Sequence, residues 1–258
     1  MNRLLLSAAA LLGGLITLTV AASPALAAGD DTTLVYQGAQ GRFTVDIRPG
    51  EVRIDDASRQ WQLYDESQQA IFSVDPTDQS YTRLDKSTAR NIRAQVDALR
   101  SRVDAKVRQL PESQQATARA ALLQSMPALD SSEHRVGLDK TGRTDTIAGV
   151  ACNVVQVVRD GRPAESLCVA SAESLGISGA GFDSVQSMFE LMQTMLAGTG
   201  FQAAGLPYLS LSGMPVRFTD TNTGEQRQLI SVDHKQLPDS RFTIPDTYIE
   251  TAIAPPGS

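Results

Sequence analysis

Few residues in this sequence carry reactive chemistry. Across 258 residues there are two cysteines, two histidines and one tryptophan, and aromatic side chains make up 5% of the chain. Two cysteines with no C-x-x-C spacing exclude a thioredoxin-type redox motif and a cysteine-built zinc site. No H-E-x-x-H, G-x-S-x-G or P-loop occurs; Gly179-Ala180-Gly181 begins like a dinucleotide G-x-G-x-x-G but lacks the third glycine and the preceding apolar strand. His134 beside Glu133 and His234 beside Asp233 look like acid–base pairs. Neighbours on a strand point to opposite faces, so neither pair can act as a dyad. Asp75, Asp78 and Asp55-Asp56 sit in turn sequence, where carboxylates cap their own backbone more readily than they collect calcium. The chain therefore reads as a non-enzyme with no cofactor and no metal.

Positive charge is in short supply too. Lysines and arginines number 23 against 29 acids, a formal net charge of -6. That balance argues against nucleic acid as the partner and against an electrostatic hold on anionic lipid. Long apolar runs are confined to the first residues, where Arg3 precedes an apolar segment ending at Ala25-Leu26-Ala27. This order predicts a secretory signal peptide over 1–27, cleaved after Ala27. No later stretch is apolar enough to cross a bilayer, so no transmembrane anchor is expected after cleavage. The expectation is a single periplasmic domain over 28–258, in a compartment where a disulfide persists.

The two cysteines organise what is present. Both lie in Thr146 to Ala170, TIAGVACNVVQVVRDGRPAESLCVA, which reads as a β-hairpin turning at Arg159-Asp160-Gly161 with Gly161 at positive φ. In that register Val158 faces Arg162 and Cys152 faces Cys168. The predicted disulfide closes a short loop, worth roughly 3 kcal/mol in the chain-entropy model.

Upstream, Thr32 to Leu84 reads as a meander of strands. Phe43, Val45 and Ile47 alternate with polar residues, Pro49-Gly50 turns the chain, and Val52 and Ile54 alternate in return. The reflection puts Ile47 opposite Val52, Val45 opposite Ile54, Arg48 opposite Glu51 and Asp46 opposite Arg53. Strands follow at 60–64, 69–74 and 79–84, with Phe72 near Tyr81. The period then changes to three and four: Ile92, Val96, Leu99, Val103 and Val107 predict a helix over about 87–109, and Pro111 opens a second one to about Ser125. Strands return over 134–142 and 143–147. A third helix is predicted over 183–197, with Asp183 as N-cap and Gln186 completing a capping box. Met188, Met192 and Met195 line one face of it with Phe189. Soft, adaptable side chains of this kind can line a cavity that accepts varied apolar ligands; plain core packing is the competing reading. The tail returns to strands over 214–220 and 225–236.

Three segments carry a resemblance. Val52 to Asp85, VRIDDASRQWQLYDESQQAIFSVDPTDQSYTRLD, resembles a recurrent run of strands leading through a tyrosine strand into a helix. TGRTDTIAGVACNVVQVVRDGRPAESLCVA resembles the TIAG-x-x-C hairpin of a bacterial envelope family of unknown function, and LPDSRFTIPDTYIE is similar to its D-S-x-F-x-x-P-x-x-Y ending. That family is distantly similar to outer-membrane lipoprotein carriers of the LolA/LolB type and to sensor domains of the same shape. The resemblance implies an α+β fold: an antiparallel sheet curled into an unclosed half-barrel with helices across its concave face. Such a shape can enclose an apolar cavity. The expected function is non-enzymatic binding of an apolar or lipid-like ligand, with Met188, Phe189, Met192 and Met195 facing Leu99 and Val103 as its lining. The alternative is an envelope sensor or interaction module with a protein partner.

Overall fold

In the computed structural model the described residues are 31–130, 135–199 and 208–252. The signal peptide expected over 1–27, the His134–Glu133 pair and Gly200 lie outside them. Alternation in the first half produces strands β1 (Thr32–Gly38), β2 (Gly41–Arg48), β3 (Glu51–Asp55), β4 (Trp61–Asp65), β5 (Ala70–Asp75) and β6 (Ser80–Leu84). The β2–β3 hairpin has the expected register: Ile47 faces Val52, Val45 faces Ile54, and on the other face Asp46 meets Arg53 and Arg48 meets Glu51. Phe72 and Tyr81 meet edge to face, their ring centres 5.9 Å apart.

Helix α1 (Lys86–Val107) starts where Asp85 accepts hydrogen bonds from the backbone N–H groups of Ser87 and Thr88, satisfying two donors that the first turn leaves free. Helix α2 (Glu112–Ser125) begins after Pro111 and buries none of its residues. Four long strands follow: β7 (Val136–Ile147), β8 (Val150–Arg159), β9 (Arg162–Ala170) and, after helix α3 (Gly179–Leu196), β10 (Met214–Asp220). Strand β11 (Gln226–Asp233) and the short β12 (Ile249–Glu250) complete the sheet.

Two expectations about local structure are corrected. The third helix begins one turn before Asp183: Ser178 is its N-cap, with the hydroxyl accepting from the Gly181 N–H. Glycines 179 and 181, ahead of the predicted start, form its first turn, and Gly181 is buried where a side chain would meet Ile47 at 3.2 Å. The β8–β9 loop has two residues, not three. Asp160 and Gly161 both take positive φ, 51° and 77°, which is the twist a two-residue hairpin turn requires, so Arg159 faces Arg162. A bulge between Val157 and Val158 shifts the register again, and Cys168 faces Val154. Cys152 therefore reaches Cys168 diagonally rather than from directly opposite. The two still form a disulfide with Cα atoms 5.4 Å apart, inside the range a bridge spans.

The described strands form one twelve-stranded sheet in the order β12-β6-β5-β4-β3-β2-β1-β11-β10-β9-β8-β7. All pairs are antiparallel except β12 with β6. The sheet is two consecutive meanders, β1–β6 and β7–β11, joined where β1 pairs with β11. It does not close, yet it curls far enough for β7 to return to contact β11. This is an α+β fold built on an open, curled sheet.

Helix α3 lies against β2 and β3, on the face carrying Leu34, Ile47, Val52, Tyr64 and Ile71. Val185, Met188 and Leu191 complete that core. Side chains such as Leu34, Ile47 and Val52, all fully buried, contribute about 1.5–3 kcal/mol each. The Ser184 hydroxyl accepts from the Gly50 N–H at 2.7 Å and fixes α3 to the β2–β3 turn. A second cluster occupies the opposite face of β4 and β5: Trp61, Leu63, Phe72 and Val74, capped by Phe242. A third joins Val157, Leu167 and Val169 to Leu211.

Candidate functional site

Strand β7 ends the sheet, and its residues 139–146 are exposed. Its pairing with β8 is interrupted: Lys140 faces Val155 and Thr144 faces Asn153, leaving 141–143 bulged opposite Val154. The bulge is held in place. The Thr141 hydroxyl donates to the Val154 carbonyl at 2.6 Å and accepts from the Arg143 N–H at 3.2 Å, while Gly142 supplies a φ of +70°. What was read as two strands, 134–142 and 143–147, is thus one strand with a fixed bulge.

Beside it the segment 208–212 crosses β8 and β9. Leu211 is buried against Val157, Leu167 and Val169. Between this segment and the bulge lies a groove of about 380 Å³. Leu138, Val155, Val169 and Leu211 make its apolar walls, and Asn153, Ser210 and Ser212 supply neutral polar groups. Its two charged residues, Lys140 and Arg143, are both basic, and neither is ion-paired among the described residues.

Leu211 shares its apolar cluster with Tyr208. The Leu211 N–H donates to the Tyr208 carbonyl, and the Tyr208 ring stacks on Phe189 of α3 with ring centres 5.5 Å apart. The Tyr208 hydroxyl donates to Glu165 at 3.1 Å. Burial, and the Glu165 carboxylate beside it, push this phenol well above its ordinary value, so it stays protonated and donating.

The predicted lining divides. Met188 is buried in the main core, while Phe189, Met192 and Met195 are half-buried and pack against its outer side. Leu99 and Val103 are half-buried on α1 and belong to none of the three apolar clusters among the described residues. Helix α1 meets the C-terminal end of α3, where Arg93 donates to the Thr194 and Ala197 carbonyls and Arg100 to that of Gly198. No group of three or more His, Cys, Asp or Glu able to hold a metal occurs among the described residues. Asp75 accepts from the N–H groups of Thr77 and Asp78, and Asp56 from that of Ser58, so these carboxylates cap their own turns.

The conspicuous tail LPDSRFTIPDTYIE is a clasp. It crosses the outer face of β2–β6. Arg48 lies over the Phe242 ring at 4.0 Å, donates to the Leu237 carbonyl and pairs with Asp31 and Asp239. Arg53 lies over Trp61 at 3.8 Å and donates to the Arg241 carbonyl. Arg241 pairs in turn with the buried Asp46 at 2.6 Å and with Asp55. Each cation–ring contact contributes about 0.5–2 kcal/mol.

The groove residues Leu138, Lys140, Arg143 and Leu211 were missed by sequence reasoning. The available signal was Gly142 within a polar strand, which marks a bulge.

Among curated proteins none matches the chain. Two solved structures follow its path: PNGF-II in its P21 space group, at 9% identity and a TM-score of 0.39 over 86% of this chain and 31% of that one, and MucB in complex with MucA(peri), at 13% identity and 0.29 over 86% and 57%. The chain thus spans about a third of the length of PNGF-II. Both scores lie below 0.5, and the fold described above rests on its own topology. No helix among the described residues is long and apolar enough to cross a membrane. A family model matches residues 120–248, from within α2 through the bulged strand, the groove and α3 to the clasp. With that match covering half of its length, the chain belongs to the family described as Domain of unknown function (DUF4412).

Proposed function

We propose that this protein is a non-catalytic periplasmic binding protein whose ligand is apolar or lipid-like. The observation that carries the reading is the open groove walled by Leu138, Val155, Val169 and Leu211, whose Leu211 shares an apolar cluster with Tyr208, itself stacked on Phe189 of α3. A volume of about 380 Å³ falls in the range of small-molecule sites, about 300–1,000 Å³. In this reading Phe189, Met192 and Met195 form an adaptable wall seated on Met188, and Leu99 and Val103 of α1 flank its far end. Methionine and phenylalanine at half-buried positions can re-pack around chains of different shape. The expected leader over 1–27 and the disulfide support a site of action outside the reducing cytoplasm.

The test is native mass spectrometry of the protein purified from a periplasm, followed by solvent extraction. A reproducible added mass that extracts as a lipid or other apolar molecule is expected, and Met192→Asp is expected to lose it while keeping the parent's near-ultraviolet circular dichroism. A clean mass, even after incubation with detergent-solubilised lipids, would overturn the reading in favour of a protein partner.

A further inference from the structure

We infer that the groove selects an anionic single-chain amphiphile, with the chain against Leu138, Val155, Val169 and Leu211 and the acidic head between Lys140 and Arg143. This rests on the reading of an apolar ligand and adds its head-group chemistry. Three observations converge on it. First, both charged residues of the lining are basic in a chain whose formal net charge is -6, so the groove has the opposite sign to the molecule. The net balance speaks against broad attraction to anionic surfaces, but it does not govern a local pair beside an apolar wall. Second, no carboxylate among the described residues neutralises either cation. Third, the bulge carrying Arg143 is pinned by Thr141 to Val154, so the strand departs from its ladder in a fixed shape beside the groove. Bulges beside binding sites re-aim side chains in this way. An apolar trough with two cations at its rim complements one acyl chain ending in a carboxylate; a neutral lipid would leave both cations without a counter-charge.

Edge protection is the competing account. Charged side chains and bulges also stop a terminal strand from pairing with other chains. The two accounts separate in binding. The probes are cis-parinaric acid and its methyl ester, which share the chain and differ in the head, titrated by fluorescence into the mature protein at low salt. The acid is expected to bind about tenfold more tightly than the ester, as two partly exposed ion contacts imply. Added salt should narrow that gap. Lys140→Glu with Arg143→Glu is expected to leave the acid binding no more tightly than the ester, with the melting temperature unchanged. Equal binding of acid and ester, unaffected by the double substitution, would overturn the head-group inference and leave apolar binding standing. Failure of both probes to bind would overturn the apolar reading itself.

Discussion

Asp85 shows how one carboxylate sets a boundary. It ends β6's run, caps α1 through Ser87 and Thr88, and pairs with Arg83 at 3.1 Å. The hydrogen bonds from Ser87 and Thr88 hold its pKa well below the ordinary aspartate value. A group depressed in the folded state contributes stability that is full above its unfolded value of about 3.9 and is lost as the pH falls through the folded one. Asp65 is likewise lowered, by Ser67 and Gln68, against the opposing effect of its burial. Asp85→Ala is expected to cost about 1 kcal/mol at neutral pH, read by urea denaturation. The difference between parent and variant should shrink below about pH 4; a difference independent of pH would mean the ionised cap is not what matters.

At the level of elements the clasp invites the most direct test. Phe242 is 4% exposed, under Arg48 and against Trp61's cluster, whereas Ile249, a few residues on, is 71% exposed. Phe242→Ala is expected to destabilise by about 3–5 kcal/mol. Ile249→Ala should stay within about 0.5 kcal/mol. Equal effects in chemical denaturation would show that the tail does not pack as a unit.

Elements also mark where the sequence was legible. Alternation and opposed charges specified the β2–β3 register because hydrophobic side, charge pattern and a two-residue turn agreed on one answer. Period change likewise placed α1, and Pro111 marked the start of α2. The start of α3 was hidden because glycine disfavours a helix, while this helix needs Gly181 for close approach to Ile47. The cysteine register was displaced by the two-residue turn and by a bulge opposite Val157 and Val158, which Pro163 inside β9 could have signalled. The groove was out of reach for a different reason: 138–143, 153–155, 169–171 and 210–212 are brought together only by pairing. Of the predicted lining, the α3 face was visible as a periodic stripe, but its relation to α1 depends on how Arg93 and Arg100 seat one helix on the end of the other.

On the scale of the whole molecule, two meanders share one sheet through β1 and β11, and the tail of the second clasps the outer face of the first. Neither half is complete alone. The full chain is expected to unfold in one cooperative calorimetric transition. A fragment of residues 120–258, which contains the whole family match, should give a collapsed amide NMR spectrum, because β11 loses its partner edge and Phe242 its seat. A well-dispersed spectrum from that fragment would show that the family segment is self-sufficient.

The clasp has a bearing on how the chain is made. A polypeptide is synthesised from its N-terminus, so β1–β6 exist long before residues 237–250 do. Through that interval Trp61, Leu63 and Phe72 have no cover, and β1 offers an open edge awaiting β11. A later-made segment therefore seals an earlier-made sheet. A ribosome that stops before Leu237 would release a chain with a sticky flank, the kind of product that chaperones and proteases recognise.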